Sequence, residues 1–344
     1  MKKEITCVNE FEKWYLELLT TVMNLGTVKS DRTGTGTRSL SFANYVHDLR
    51  SGLPHIRSRY LRPDRPGREM IWMLSGSSNV KDLQALDVPF WNEFADETGE
   101  LGPVYGYLWR HWPNGDGTET DQIKYIEDLL KNNPDSRRMV VNCWHPSYIP
   151  ESSTSPKENY KFGKQALTPC HFNWGVVTEE LSWADRMAWL KENMPSRNAS
   201  LYPVHGAGWV EETVEKLDQW GVPKRYLDLS FSMRSNDTVL GLPANFNMYA
   251  HLAEMLAKTN NMIPRYLSFN GVGDVHMYLD HIRGVKEQLA WVRDNEEAVY
   301  SQVTKLKILN VRESITEYVP SDFEYENYNK EDVGPAIKFP IAVG

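Results

Sequence analysis

Cysteine is scarce in this chain of 344 residues. Cys7, Cys143 and Cys170 are the whole complement, and they are widely scattered. That excludes a disulfide framework and a cysteine-rich zinc site, and it makes a reducing, cytoplasmic location the default. Long apolar runs are missing too, since nothing approaches the roughly 18 apolar residues of a membrane span. The N-terminal MKKEITCVNEFEKWYLELL has lysines but no apolar h-region, because Glu4, Glu10, Glu12 and Lys13 interrupt it, so no signal peptide is expected. Without one, the sequon Asn198-Ala199-Ser200 carries no weight. Positive charge is in deficit, 38 Lys and Arg against 46 Asp and Glu for a net −8. The surface as a whole should therefore repel nucleic acid, and any polyanion site must rest on a local arginine cluster. P-loop lysine, nucleophile elbow, metal-ligand spacing and internal repeats are all absent from the sequence.

What is present describes a globular protein, with 41% hydrophobic and 12% aromatic residues and ample length for a core. Helical spacing over residues 8–25 ends at Gly26. A glycine-rich loop, Ser30 to Thr37, carries one arginine and reads either as a flexible turn or as a phosphate wrap through backbone amides. Alternation from Ser39 to Val46 predicts a strand. Arg50, Arg57, Arg59, Arg62, Arg65 and Arg68 concentrate positive charge in an acidic protein, as a solvated loop or as the rim of a phosphate or polycarboxylate site. Glu69 opens an apolar helix, Met70 to Leu74, which predicts partial burial and a raised carboxyl pKa suited to proton relay. The aromatics of residues 88–110 read mainly as core. A helix over 121–132 leads to Arg137-Arg138 and a strand, Met139 to Trp144. Residues 150–166 read as a polar loop. Two amphipathic helices near 181–194 and 210–220 make 178–223 a helical insertion, too short for a core of its own.

The stretch Met233 to Asn247, MRSNDTVLGLPANFN, follows an apolar alternating segment, Tyr226 to Phe231, and precedes a helix over 247–259. Fixed guanidinium, hydroxyl and carboxamide groups between strand and helix suit an oriented anionic ligand, or simply a polar loop capping a helix. A strand over 266–270, the run Gly273 to Tyr278, a helix over 279–294 and an extended tail complete the chain. Cys170 follows proline at a strand start, as a nucleophile or as a buried structural thiol. Neighbours i and i+1 on a strand face opposite ways, so His171 is not easily its base.

DRTGTGT, LGPVYG, PDSRR, LTPCH, RSNDTVLGLPANFN and GDVHMY occur in this order and closely resemble the thymidylate synthase family, which includes the phage pyrimidine-nucleotide hydroxymethylases. The resemblance covers nearly the whole chain except 150–166, 178–223 and part of the arginine-rich loop. It implies a single α+β domain over 1–344, with helices on one face of a large mixed sheet and a homodimer packed sheet to sheet. It also implies C5 one-carbon transfer from 5,10-methylenetetrahydrofolate to dUMP, with no metal. Cys170 would add to C6, and Glu69, Tyr105, Asn245 and His171 would complete the catalytic set. Glu69 would relay protons to the base carbonyl, and Tyr105 would help remove the C5 proton. Arg32, Arg234 and Ser235, with Arg137 and Arg138 from the other subunit, would hold the phosphate, and His276 and Tyr278 the 3′-hydroxyl. Trp91, Asp237, Leu240, Gly241 and Arg59 would face the folate. Arginines near Cys170 predict a lowered thiol pKa. Asn245 can accept from N3–H and donate to O4, which fits uracil better than cytosine.

The product is less legible. Asn92, Phe94, Met233 and Arg68 depart from the usual synthase pattern, and Met233 and Arg68 resemble the phage hydroxymethylases. One residue, Gly344, extends a synthase-like tail, Phe339 to Val343. On balance the residues predict 5-hydroxymethyl-dUMP and a phage source, with thymidylate synthesis as the alternative. A dCMP hydroxymethylase ranks below both. An idle nucleotide- or RNA-binding relative is disfavoured by the net charge and the intact Cys170, Glu69, Asn245 set.

Overall fold

One mixed sheet organises the molecule, a computed structural model that describes residues 7–31, 34–151, 153–201 and 209–342. Its seven strands are β1 (Thr27–Lys29), β2 (Thr37–Leu40), β3 (Ala43–Asp48), β4 (Val140–Asn142), β5 (His171–Glu180), β6 (Arg225–Asp237) and β7 (Ile263–Tyr278). They run in the order β1-β2-β7-β6-β5-β4, with β3 also on β7. All pairs are antiparallel except β6 with β7, which are joined by the helix Gly241–Thr259. Parallel neighbours require such a crossover. The expected α+β architecture is therefore present.

Helices Glu10–Leu25 and Gly241–Thr259 cover one face. Phe246 is the keystone of that contact. Its ring centroid lies 4.9 Å from Phe11, 5.5 Å from Trp14, 5.4 Å from Phe231 and 5.3 Å from Phe269. Burying a ring of this size stabilises the fold by about 2–3 kcal/mol, and here it also fixes the helix turn that carries Asn245. The other face is bare. Val46, Val140, Val177, Tyr266 and Val272 stand on it, 37–58% exposed, among serines and asparagines.

Several elements depart from sequence expectation. The strand predicted over Ser39–Val46 breaks at Ser41-Phe42, because β2 and β3 pair with separate parts of β7. Leu40 faces Val275 and Ala43 faces Gly271, so β7 holds one extra residue there, a bulge. Gly273 makes it possible, because a Cβ there would lie 2.1 Å from the Arg234 carbonyl oxygen. The bulge re-aims Asp274 to Tyr278. The helix predicted from 247 begins at Gly241, since proline is tolerated in a first turn. The strand predicted over 266–270 runs from Ile263 to Tyr278. The C-terminal region, expected to be extended, contains a hairpin, Lys305–Ile308 with Phe323–Glu326.

The insertion does have a small core. Leu190, Leu201, Leu217 and Val222 bury one another, closed by helices Trp183–Asn193 and Trp209–Gln219. Arg186 is buried against it and bonds Asp218 at 2.7 Å. Two amphipathic faces turned toward each other suffice where either alone would not.

Candidate active site

A cleft of about 680 Å3 opens where β2, β5, β6 and β7 end. Cys170, Arg234, Ser235, Asp237, Leu240, His276 and Tyr278 line it, with Lys29 to Asp31, Thr37, Phe94, Leu167, Ile341 and Ala342. Four of the six sequence-selected motifs thus converge on one space, while LGPVYG and PDSRR contribute no lining residue. Arg32 and the last two residues, Val343 and Gly344, lie outside the described residues.

Cys170 sits just before β5. Its N–H donates to the Tyr105 hydroxyl at 2.9 Å, and its carbonyl accepts from the Arg234 N–H at 2.9 Å. The Arg234 guanidinium reaches back to the same loop, donating to Pro169 O at 2.8 Å and Thr168 O at 2.9 Å. Four bonds therefore set the loop that presents the thiol. The expected lowering of the thiol pKa is not found. Burial pushes Cys170 above its usual range, outweighing Arg234, and Asp237 adds to the rise.

His171 turns away from the cleft. Its ring stacks on Tyr105 at 4.1 Å, and Nδ1 lies 2.8 Å from the Tyr249 hydroxyl. Burial lowers its pKa to about 3, leaving it neutral. Its geometry is that of a support for Tyr105, not of a base for Cys170. Tyr105 is held at φ 22°, a backbone conformation costly for a bulky side chain and often found at functional sites. Burial raises its pKa well above the usual range, so its hydroxyl keeps its proton.

Glu69 lies behind this wall, in helix Asp64–Ser75. The Trp91 indole N–H donates to its Oε1 at 2.8 Å, and the Trp91 ring is 5.6 Å from Tyr105. Burial lifts the Glu69 pKa to about 7, as the apolar neighbours predicted, with the Trp91 bond opposing. Trp91 itself is buried, and Phe94, packed edge-on against it, is the aromatic that reaches the cleft.

The connection from β6 to the next helix is only Thr238 to Leu240. Asp237 Oδ1 accepts from the N–H groups of Val239 and Leu240 at 2.9 and 3.2 Å, and Gly241 begins the helix. One turn on, Asn245 Nδ2 lies 3.6 Å from the sulfur of Met233, which also accepts from Asn236 at 3.1 Å. Met233 is buried beneath Asn245 and does not line the cleft.

His276 bonds Asp274 Oδ2 through Nδ1 at 3.0 Å. Burial works to lower its pKa, yet Asp274 and Asp237 together hold it above the usual value. Lys29 Nζ lies 2.9 Å from Asp274 Oδ1, and Ser39 donates to the same oxygen. His276, Asp274 and Lys29 are thus one network at the cleft edge.

The arginine-rich stretch does not form a rim. Arg57 is fully buried and donates to the carbonyls of Ala298, Asn327 and Asp332. Arg59 is buried, donates to Val239 O at 2.5 Å and lies 5.3 Å above the Phe339 ring. Arg62 bonds Asp64 and Asp87, Arg65 pairs with Asp87, Arg68 with Asp64 and Arg50 with Asp48. Acidic residues absorb the charge, Asp48 and Asp64 from within four residues of their arginines and Asp87 from farther along the chain. Arg137 and Arg138 are exposed and line no part of this cleft.

Sequence reasoning missed part of the wall. Pro150, Glu151, Thr154, Pro156 and Asn159 line the cleft, from the segment read only as a polar loop. Its prolines and its place just ahead of Cys170 were the available signal. Among the described residues no group of three or more His, Cys, Asp or Glu could hold a metal ion, and no helix is long and apolar enough to cross a membrane.

The family model described as thymidylate synthase matches residues 13–343. A thymidylate synthase of Pseudomonas fluorescens (strain SBW25) is 35% identical over 331 residues, covering 96% of this chain and 100% of that protein. One of Francisella tularensis subsp. holarctica is 35% identical over 329 residues, covering 96% and 99%. One of Francisella philomiragia is 34% identical over the same length and shares.

Proposed function

The chain belongs to the thymidylate synthase family, whose members are folate-dependent one-carbon transferases, and we propose that it converts dUMP to dTMP with Cys170 as nucleophile. The observation that carries this is the convergence on one cleft of a loop-fixed thiol, the Arg234-Ser235 pair, Asp237 and the His276-Tyr278 pair. Phe94, Leu167, Leu240, Ile341 and Ala342 offer an apolar side for a flat heteroaromatic ring, which suits 5,10-methylenetetrahydrofolate. That co-substrate supplies the one-carbon unit and, for a methyl product, the hydride.

In this reading Arg234 and Ser235 bind the phosphate, joined by Arg32 and by Arg137 and Arg138 of a second copy. His276 and Tyr278 hold the 3′-hydroxyl. The Cys170 thiolate forms a bond to C6, and the C5=C6 electron pair moves to C5 and O4. Asn245 donates to O4 and accepts from N3–H, while Glu69, half protonated near neutrality, returns a proton toward O4. C5 then bonds to the methylene carbon of the co-substrate, and Tyr105 takes part in removing the C5 proton as the folate nitrogen leaves that carbon. Hydride from the tetrahydrofolate reduces the resulting exocyclic methylene to methyl while the Cys170 thiolate is expelled, giving dTMP and dihydrofolate. Leu240, Gly241 and Asp237 flank the folate side, with Trp91 and Arg59 behind it.

Thymidylate is preferred here over the 5-hydroxymethyl product expected from Met233 and Arg68. The full-length relatives carry the synthase name, Met233 is buried, and Arg68 is paired with Asp64. Incubation with dUMP and methylenetetrahydrofolate should yield dTMP and dihydrofolate in equal amounts. Accumulation of 5-hydroxymethyl-dUMP with tetrahydrofolate would overturn the assignment.

The bare sheet face supports a homodimer, since so much exposed valine and tyrosine on a flat surface calls for a partner. Sedimentation should give twice 39.7 kDa. A monomer at micromolar concentration would remove Arg137 and Arg138 from the site.

A further inference from the structure

We propose that His251, a residue outside the cleft, is a positioning residue for the reaction. Seated against Gly67, it sets the spacing between the helix that carries Glu69 and the helix that carries Asn245. This rests on the roles proposed above for those two side chains.

The contact is tight and has one cause. Gly67 is buried in helix Asp64–Ser75, two residues before Glu69, and a Cβ there would lie 2.5 Å from His251 Cδ2 and 2.6 Å from Nε2. The backbone at Gly67 is helical, so only the imidazole keeps a side chain out. A glycine inside a helix is less stable than alanine, and the close approach of the ring is what it permits. His251 stands in helix Gly241–Thr259, six residues after Asn245, and is fully buried. The ring has no room to retreat, since Phe323 lies edge-on at 5.4 Å and Tyr325 at 5.7 Å.

Hydrogen bonds hold that ring in one orientation. His251 Nδ1 lies 2.8 Å from Asn247 O, and Nε2 lies 2.9 Å from the Tyr325 hydroxyl. A carbonyl only accepts, so Nδ1 carries the proton. Burial lowers the pKa of the ring to about 4 and keeps it neutral, so Nε2 accepts from Tyr325. The same helix is tied a second time, because Asn247 Nδ2 donates to His55 Nδ1 at 3.0 Å and His55 Nε2 donates to Leu61 O at 3.0 Å. His55, Asn247 and His251 are all fully buried, and none of them lines the cleft. This polar chain runs from the loop ahead of the Glu69 helix, through the Asn245 helix, to the C-terminal hairpin. With both ring nitrogens bonded His251 has one register, where an apolar side chain could slide. Glu69 and Asn245 address the same base oxygen, O4. A change in the spacing of their helices is therefore a change in the geometry of one proton transfer.

Gly67→Ala and Tyr325→Phe test this in the full-length protein. The first drives the two helices apart, and the second leaves His251 Nε2 unbonded with its packing unchanged. Gly67→Ala should slow single-turnover formation of dTMP about tenfold or more, while the dUMP dissociation constant stays within about threefold. It should also lower the midpoint of Glu69 ionisation by about one pH unit, because separated helices admit water. Carboxyl NMR reads that midpoint, with Glu69→Gln to identify the signal. Tyr325→Phe should move both quantities the same way, with a rate loss of about threefold. A role in stability alone would lower the melting temperature and move neither. A folded Gly67→Ala variant with a rate within about twofold of wild type and an unmoved Glu69 titration overturns the proposal. Should that variant not fold, the same criterion applied to Tyr325→Phe decides. A Glu69 midpoint that moves in the variants, with no dTMP from the wild type, would uphold the spacing role and count against the proposed reaction instead.

Discussion

Cys170→Ala is expected to lower turnover on the order of 10⁴-fold or more, while the dUMP dissociation constant stays within about threefold. The cleft offers no second thiol. Cys143 is buried behind it, its sulfur donates to His171 O at 3.1 Å, and burial pushes its pKa far above the usual range. Ser235 lines the cleft but has no neutral histidine aimed at its hydroxyl, since His171 faces away and His276 is bonded to Asp274. Binding survives because the residues assigned to phosphate, base and sugar are other side chains, and because the loop is fixed by backbone bonds of residues 168–170 that alanine retains. Single-turnover kinetics and calorimetry on the same preparation separate the two effects. Turnover within tenfold of wild type would mean that Cys170 is not the nucleophile.

Glu69→Gln should slow the reaction about 10²- to 10⁴-fold, the range for losing a positioned proton donor. The wild-type rate should fall as pH rises through about 7, where Glu69 loses its proton, and the variant should lack that limb. The same substitution should stabilise the protein at alkaline pH. The carboxyl pKa is about 7 in the folded chain against 4.5 for its ordinary value, so the folded state holds the proton more tightly. The resulting stability is fully present below pH 4.5 and is lost as pH rises to 7, a loss of about 2–3 kcal/mol. Glutamine never ionises and can still accept from the Trp91 indole. At pH 8 the variant should therefore be slower yet melt higher than the wild type, the opposition expected of a buried group kept for chemistry. A variant with wild-type activity, or one that melts lower at pH 8, contradicts this role for Glu69.

Local chemistry made much of the site readable in one dimension. Arg234, Ser235 and Asp237 lie within four residues of one another, and a proline-cysteine step at a strand start is conspicuous. Glu69 amid methionine, isoleucine and tryptophan announced its own burial. Other features depended on which partners and how much burial folding supplied. The arginines from Arg50 to Arg68 looked like a binding rim, but Asp48, Asp64 and Asp87 and three backbone carbonyls take up most of them. Cys170 was expected to be acidic because arginines were counted without the desolvation that raises a buried thiol. Met233 read as a mark of the product, and folding put it under Asn245.

The sequence by itself determined the family, the mixed α+β class and the residue types of the site, because ordered motifs and periodicity are local properties that survive in one dimension. Tertiary structure alone decided which charges remain free, which ring faces the cleft and which does not, and that part of the 150–166 loop lines it. Those outcomes depend on burial and on pairing across hundreds of residues. The Gly273 bulge shows the division well. The glycine is visible in the sequence, but only the approach of the Arg234 carbonyl explains why no side chain fits there and why His276 and Tyr278 turn toward the cleft.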